Sequence, residues 1–270
     1  MNLTSPSQVK AWCIENGFHP NKVLGQNFLI DQNALKAIVD AGLEGVRDQG
    51  SGIRVLEIGP GLGVLTEEML KRGCRVTAIE KDPVLAARLK ESLGSPEGLE
   101  VIAGDALDVL SDPRSPIPDP FSCMISNLPY QAGTRILLDL VKARRIPSMT
   151  VLVQTEVAER LAAGPGSKTR GLAGVWAQLD YDVKIVRKVA ASCFWPRPEI
   201  GSSVVRLERH GRNAALTDEE RDLFHRLTKQ AFEHRRKQLG SIFKDLIQST
   251  ARAEELSNED WIELTKGLIG

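Results

Sequence analysis

The residues best suited to chemistry in this chain are Asn127-Leu128-Pro129-Tyr130, which follow the apolar run Cys123-Met124-Ile125-Ser126. Such a run, closed by a proline, reads as a buried strand that stops at Asn127. Three features then meet at one strand end: the side-chain oxygen of Asn127, the carbonyl of Leu128, which Pro129 frees from ladder pairing, and the aromatic face of Tyr130. Together they form a socket for a flat base that carries an amino group. Upstream, Glu57-Ile58-Gly59-Pro60-Gly61-Leu62-Gly63 supplies a glycine-rich turn. Glycines such as Gly59 and Gly61 let the backbone approach a ligand lying over a helix N-terminus. The spacing is E-x-G-x-G-x-G, and the dinucleotide fingerprint fails because position 64 is Val64. A pyrophosphate favours the helix dipole with no carboxylate at hand, whereas a cationic sulfonium tolerates Glu57. The two motifs point to S-adenosylmethionine on one side, an adenine amine on the other, and methyl transfer between them.

Two further acids stand where strands should end. Glu80, followed by Asp82-Pro83, can accept both hydroxyls of a ribose, and Asp105 in Gly104-Asp105-Ala106 can accept from the adenine amine of the cofactor. A lone acid at a strand end is more often a helix cap or a solvated loop residue, but three strand ends in the right order favour the cofactor reading. On the target side, the N6 lone pair is delocalised into the adenine ring, so the amine must be turned and aimed. The Asn127 oxygen and the Leu128 carbonyl can take the two N6 hydrogens and direct the lone pair at the methyl carbon. Proton loss to water can follow attack, so no catalytic histidine is required. Tyr130 on one side and Phe194 on the other would sandwich the base, each stack contributing about 1–3 kcal/mol. The bland alternative for Phe194 is a ring tucked under the loop Phe194-Trp195-Pro196-Arg197-Pro198.

These residues need a frame. Strand-like runs at Arg54 to Ile58, Arg75 to Glu80, Leu99 to Ala103, Phe121 to Ser126 and Met149 to Val153 alternate with segments whose apolar residues recur at three and four. That alternation predicts a parallel sheet covered by helices on both faces. Tyr181 to Val189 and Ser202 to Glu208 alternate with no helical pattern between them and are expected to close the sheet as an antiparallel pair. The expected fold is therefore α/β, a Rossmann-like, mostly parallel seven-stranded sheet. Beyond Gly211 the sequence turns helical: Thr217-Asp218-Glu219-Glu220 reads as a capping box and Ser257-Asn258-Glu259-Asp260 as another helix start. The expected division is a cofactor-binding domain over 1–212 and a small all-helical domain over 213–270. Ser111 to Pro120 is expected to be a surface loop.

With 270 residues and a formal net charge of zero, nothing global announces a nucleic-acid partner. An RNA surface must come from local cations. Arg235, Arg236 and Lys237, with Arg226, Lys229 and Lys244, concentrate positive charge in the C-terminal part, and Lys22, Arg187, Lys188, Arg197 and Arg206 would extend it. The four cysteines lie far apart, with no ligand-spaced histidine, so neither a zinc site nor a disulfide framework is expected. A cytoplasmic protein with no bound metal is expected. No apolar run reaches about 18 residues and no signal peptide is legible, so no membrane association is expected.

Gly25-Gln26-Asn27-Phe28-Leu29, Glu57 to Gly63, Gly104-Asp105-Ala106, Asn127 to Tyr130, Gln154-Thr155-Glu156-Val157-Ala158-Glu159-Arg160 and Phe194 to Pro198 resemble, in order, the ribosomal RNA adenine dimethyltransferase family of the KsgA/RsmA type. The resemblance implies a class I methyltransferase in which Asn27, Leu29, Gly59, Glu80, Asp105 and Asn127 hold S-adenosylmethionine. It also implies a target: two adjacent adenosines in a hairpin loop near the 3′ end of small-subunit ribosomal RNA, each methylated twice at N6 within a pre-ribosomal small subunit. A monomer is the expected state. The chain departs from the family at Thr169-Arg170, where Tyr-Gly is usual, and at Gln131, where Asn is usual; both changes bear on how RNA sits. A large-subunit adenine methyltransferase of the resistance type, and an RNA-binding factor on a retired methyltransferase fold, are the rival readings. The Arg235 to Lys237 turn speaks against the first and intact Asn127, Tyr130, Asp105 and Glu80 against the second.

Overall fold

A computed structural model describes residues 1–21, 24–47, 52–112, 120–244 and 246–269. Seven strands form one sheet: β1 (Arg54–Ile58), β2 (Arg75–Glu80), β3 (Leu99–Ala103), β4 (Cys123–Asn127), β5 (Ser148–Gln154), β6 (Tyr181–Val189) and β7 (Ser202–Arg209), in the order β3-β2-β1-β4-β5-β7-β6. The first five pair in parallel, with Val55 opposite both Val76 and Cys123, while β7 runs antiparallel to β5, with Val205 opposite Val151. Crossover helices cover both faces, which is why β1 and β4 read as near-continuous apolar runs. Val55, Val76, Ile125, Leu152 and Val204 share one buried cluster with Leu35, Ile38 and Val39 of the helix Gln32–Leu43.

The helix starts that matter for the site are set by strand-end acids. Asp82 accepts from Val84 N and Leu85 N and caps the helix Pro83–Ser92, and Asp105 accepts from Leu107 N and caps Ala106–Ser111. Gly63, at φ 89°, turns β1 into the helix Val64–Lys71. Sequence order in the sheet reverses at β1, whose neighbours are β2 on one side and β4 on the other. In an open α/β sheet a crevice lies outside the strand carboxyl ends at such a reversal.

The chain divides into two compact units, Met1–Ala158 with Lys184–Glu208, and Glu159–Val183 with Arg209–Gly270. This differs from the expected cut near residue 212, because residues 159–183 group with the C-terminal helices. The helix Leu172–Asp180 sends Val175 and Leu179 into the same core as Phe224, Leu227 and Trp261, and the buried Asp180 pairs with buried Arg221 at 2.7 Å. Both expected capping boxes, Thr217 with Glu220 and Ser257 with Asp260, form with both of their hydrogen bonds.

Two arginines take structural places. Arg206, expected on the RNA surface, is buried, donates to the carbonyls of Ala41 and Glu44 at the end of the helix Gln32–Leu43, and pairs with Glu44 and Glu208. Arg170, one of the departures from the family pattern, is 1% exposed and donates to Ala163 O, Gln178 Oε1 and Asn258 Oδ1 at 2.9–3.2 Å. It knits the second unit together and presents no charge to solvent. Most of the stretch expected to be a surface loop before Phe121 falls outside the described residues.

Candidate functional site

The strand ends that the sequence marks open onto one cleft in the first unit. Its walls are the loop Gly25 to Leu29, the turn Glu57 to Leu62, Glu80 with Lys81, Gly104 to Ala106, and Asn127 to Ala132, and it encloses about 1180 Å³ including its open mouth.

One end of the cleft is built around the glycine turn. Gly59 and Gly61 sit at φ 66° and 60°, left-handed values that favour glycine. A Cβ on Gly61 would lie 3.0 Å from Cε1 of Phe28, so a side chain there would require the Phe28 ring of the Gly25 to Leu29 loop to give way by a few tenths of an ångström. Gly61 N donates to Glu80 Oε2 at 3.0 Å and Asp82 N to Oε1 at 2.9 Å. These bonds hold the carboxylate in place and leave each oxygen a second lone pair for a diol. Burial raises the Glu80 pKa, and the backbone donors oppose that rise. Asp82 also accepts from Gln26 Nε2 at 2.9 Å, which ties the Gly25 to Leu29 loop to the end of β2.

Asp105 closes the far side. Its Oδ1 caps Leu107 N and its Oδ2 meets Lys81 Nζ at 2.6 Å; the lysine hydrogen bond, followed by the Leu107 N–H, holds the carboxyl below its ordinary pKa. Lys81 is a cleft residue that the sequence reading passed over, although a cation directly after a strand-end glutamate was a visible signal. Glu57, at the cleft floor, is 1% exposed and accepts from Thr66 Oγ1 at 2.6 Å. Burial pushes its carboxyl up to about 8, so it is mainly neutral at pH 7.

The target side lies at the end of β4. Asn127 Nδ2 donates to the carbonyl of Asn27 at 3.1 Å. A carbonyl only accepts, so the amide nitrogen must face Asn27, and Oδ1 is left as the acceptor for another group. Asn27 turns its own Nδ2 onto Gly25 O at 3.1 Å. Leu128 anchors the tetrapeptide through its N–H to Leu152 O at 3.1 Å and a fully buried side chain. The Tyr130 hydroxyl lies 2.6 Å from Ser202 Oγ at the start of β7, and burial raises its pKa, so the phenol is neutral.

Phe194 sits in the core of the first unit. Its ring is 2% exposed, its backbone pairs with Leu29 in a two-residue antiparallel ladder, and it belongs to the main apolar cluster with Leu29, Val189 and Val204. Of the two expected stacking residues, Tyr130 lines the cleft and Phe194 is not among its lining residues. Leu29 lines the cleft by way of that same ladder. Of the expected RNA contacts, Arg197, Arg236 and Lys237 are exposed, Arg235 is partly committed to Lys168 O and Glu254, and Lys22 lies outside the described residues.

Strand order, the glycine turn, acids at the ends of β2 and β3, and Asn-Leu-Pro-Tyr at the end of β4 define a Rossmann-like class I methyltransferase. Residues 17–265 match the family described as Ribosomal RNA adenine dimethylase, and the chain belongs to that family. "Ribosomal RNA small subunit methyltransferase A" of Deinococcus radiodurans is 46% identical over 206 residues, covering 76% of this chain and 67% of that protein. The protein of the same name from Mycobacterium avium is 35% identical over 284 residues, covering 98% and 87%. Among solved structures, a dimethyladenosine transferase from Plasmodium falciparum superposes with a TM-score of 0.72 at 23% identity, covering 87% of this chain and 95% of that one. The 23S rRNA methyltransferase ErmE gives 0.67 at 24% identity, covering 90% and 100%. Both structural likenesses are likenesses of fold. The chain is thus a ribosomal RNA adenine methyltransferase by family, and no described helix is long and apolar enough to cross a membrane.

Proposed function

We propose that this protein uses S-adenosylmethionine to dimethylate N6 of two adjacent adenosines in a hairpin loop near the 3′ end of small-subunit ribosomal RNA. It acts as a monomer, in the cytoplasm, on a pre-ribosomal small subunit. The observation that carries the reading is the amide of Asn127, its nitrogen on Asn27 and its oxygen with no partner among the described residues, in the wall of the cleft that also holds the glycine turn and Glu80.

The residues present fit the cofactor. The left-handed turn at Gly59 and Gly61, the held carboxylate of Glu80, Asp105, and the Asn27 to Leu29 segment would hold it. When bound, S-adenosylmethionine supplies an electrophilic methyl group on a sulfonium. Glu57, buried and mainly neutral, adds no full negative charge to the floor in the free protein and can ionise beside a cation.

On the target side, Asn127 Oδ1 and the Leu128 carbonyl accept the two N6 hydrogens and turn the lone pair out of conjugation. Tyr130 supports one face of the ring. The N6 lone pair, so aimed, would take the methyl group that the cofactor would supply, and the extra N6 proton would leave to water. Holding the two reactants aligned can supply on the order of 7–11 kcal/mol of the barrier reduction. Arg197, Arg235, Arg236 and Lys237 contribute phosphate contacts, so binding weakens as salt rises.

The test is transfer of tritium from labelled cofactor into purified small subunits that lack the modification, with large subunits in parallel. Label in small-subunit RNA alone is expected. Label in large subunits alone would replace the substrate assignment, and label in neither would overturn the enzymatic reading.

A further inference from the structure

Resting on the function just proposed, we infer that Ser202 is a positioning residue which, through the hydroxyl of Tyr130, sets whether an adenosine receives its second methyl group. The contact is 2.6 Å long, Ser202 has no solvent exposure, and Tyr130 is half-buried at the cleft wall.

The serine is itself held in place. It opens β7 opposite Gln154 of β5, and Thr155 fastens the residues on either side of it, the N–H donating to Gly201 O at 3.1 Å and Oγ1 lying 3.1 Å from Ser203 Oγ. The backbone of Tyr130 is confined from the other side, since a Cβ on Gly25 would stand 3.2 Å from Tyr130 N. With its main chain fixed there and its hydroxyl fixed at Ser202, the ring can neither swing nor tilt freely.

That rigidity matters unequally for the two transfers. An unmodified N6 carries two hydrogens, so Asn127 Oδ1 and the Leu128 carbonyl can orient it between them. A once-methylated N6 keeps one hydrogen, loses one of those two bonds, and must also fit a methyl group. The aromatic wall then becomes the main remaining restraint on the base, and a wall that wanders leaves the second attack misaligned. Ser202→Ala removes the tether and keeps the ring.

The first transfer should slow about 2- to 3-fold in Ser202→Ala, and the second about 10-fold, the upper range for one net hydrogen bond. N6-monomethyladenosine then accumulates, while KM for the cofactor stays at the wild-type value. Tyr130→Phe cuts the same bond from the other end without touching the buried serine, and should give the same product ratio. The double variant should be no worse than either single one.

The experiment is a time course on unmodified small subunits with purified full-length protein, quantifying mono- and dimethyladenosine by nucleoside mass spectrometry. Cofactor binding is measured alongside to show that each variant is folded. Equal slowing of both transfers, an unchanged product ratio, or additive losses in the double variant would overturn the inference. Wild-type protein that forms no methyladenosine would instead overturn the function it rests on.

Discussion

Asn127→Ala separates the two halves of the site. The side chain makes one bond towards the cofactor loop, Nδ2 to Asn27 O at 3.1 Å, in a partly buried setting. Losing it removes one net hydrogen bond, about 0.5–1.5 kcal/mol, and should weaken cofactor affinity about 2- to 12-fold through a looser Gly25 to Leu29 loop. That loop keeps its second fastening, Gln26 Nε2 to Asp82 at 2.9 Å, so binding should stay measurable. The loss at the other end of the amide is larger. In the proposed reaction Oδ1 is one of two acceptors that orient the reacting amine, and removing one such preorganised group costs about 10²–10³ in kcat. Calorimetric titration with cofactor and single-turnover methylation at saturating cofactor read the two effects separately. Turnover within about 3-fold of wild type, or a loss that disappears once cofactor saturates, would refute the assignment of Asn127 to the chemistry.

Three further perturbations probe the floor, the rim and the second unit. Glu57 holds its proton in the folded protein up to about 8 against an ordinary 4.5, so the folded state is penalised progressively as pH rises from about 4.5 through 8; at about 1.4 kcal/mol per unit the ceiling is roughly 5 kcal/mol. Glu57→Gln should therefore gain thermal stability over wild type between pH 6 and pH 9 in cofactor-free melts, and parallel melting profiles would contradict the buried carboxyl. Lys81→Met removes the first cause of the lowered Asp105 pKa. The carboxylate's contribution, present above its ordinary pKa and lost as pH falls through the lowered one, should then be lost at higher pH, moving the acid limb of cofactor binding upward; an unmoved limb would count against Asp105 as a ligand. Arg170→Ala strands the acceptors Ala163 O, Gln178 Oε1 and Asn258 Oδ1 in the second unit and should cost about 3 kcal/mol or more in urea unfolding, with Arg170→Met milder. A loss below about 1 kcal/mol would mean that water replaces the guanidinium.

The parts of the site that were legible in the sequence are those governed by neighbours along the chain. Asn127 to Tyr130 follows its own strand, and Glu80 and Asp105 end theirs. At Asp105 the cap forms, Oδ1 accepting from Leu107 N, and the same residue lines the cleft, where the ligand reading needs it. The capping boxes at Thr217 and Ser257 were legible for the same reason, each being complete within four residues. What was not legible depends on partners far away in sequence. Phe194 is buried because it pairs with Leu29, and Arg206 because the helix ending at Leu43 offers it carbonyls and Glu44. Residues 159–183 join the C-terminal helices because Asp180 meets Arg221, 41 positions on. Hydrophobic period and turn chemistry carry no record of such pairings, so an aromatic ring in a proline-rich loop and a cation on an alternating strand both read as available to a ligand.

A crystal structure with a cofactor analogue and a bound adenosine tests the central claim most directly. The expected complex has adenine N6 within about 2.7–3.2 Å of both Asn127 Oδ1 and the Leu128 carbonyl, with Tyr130 against the ring. The analogue should lie along Gly59, Gly61 and Glu80, its reactive end facing that amine. An adenine bound elsewhere, or Asn127 turned inward with both amide atoms engaged by the protein, would contradict it.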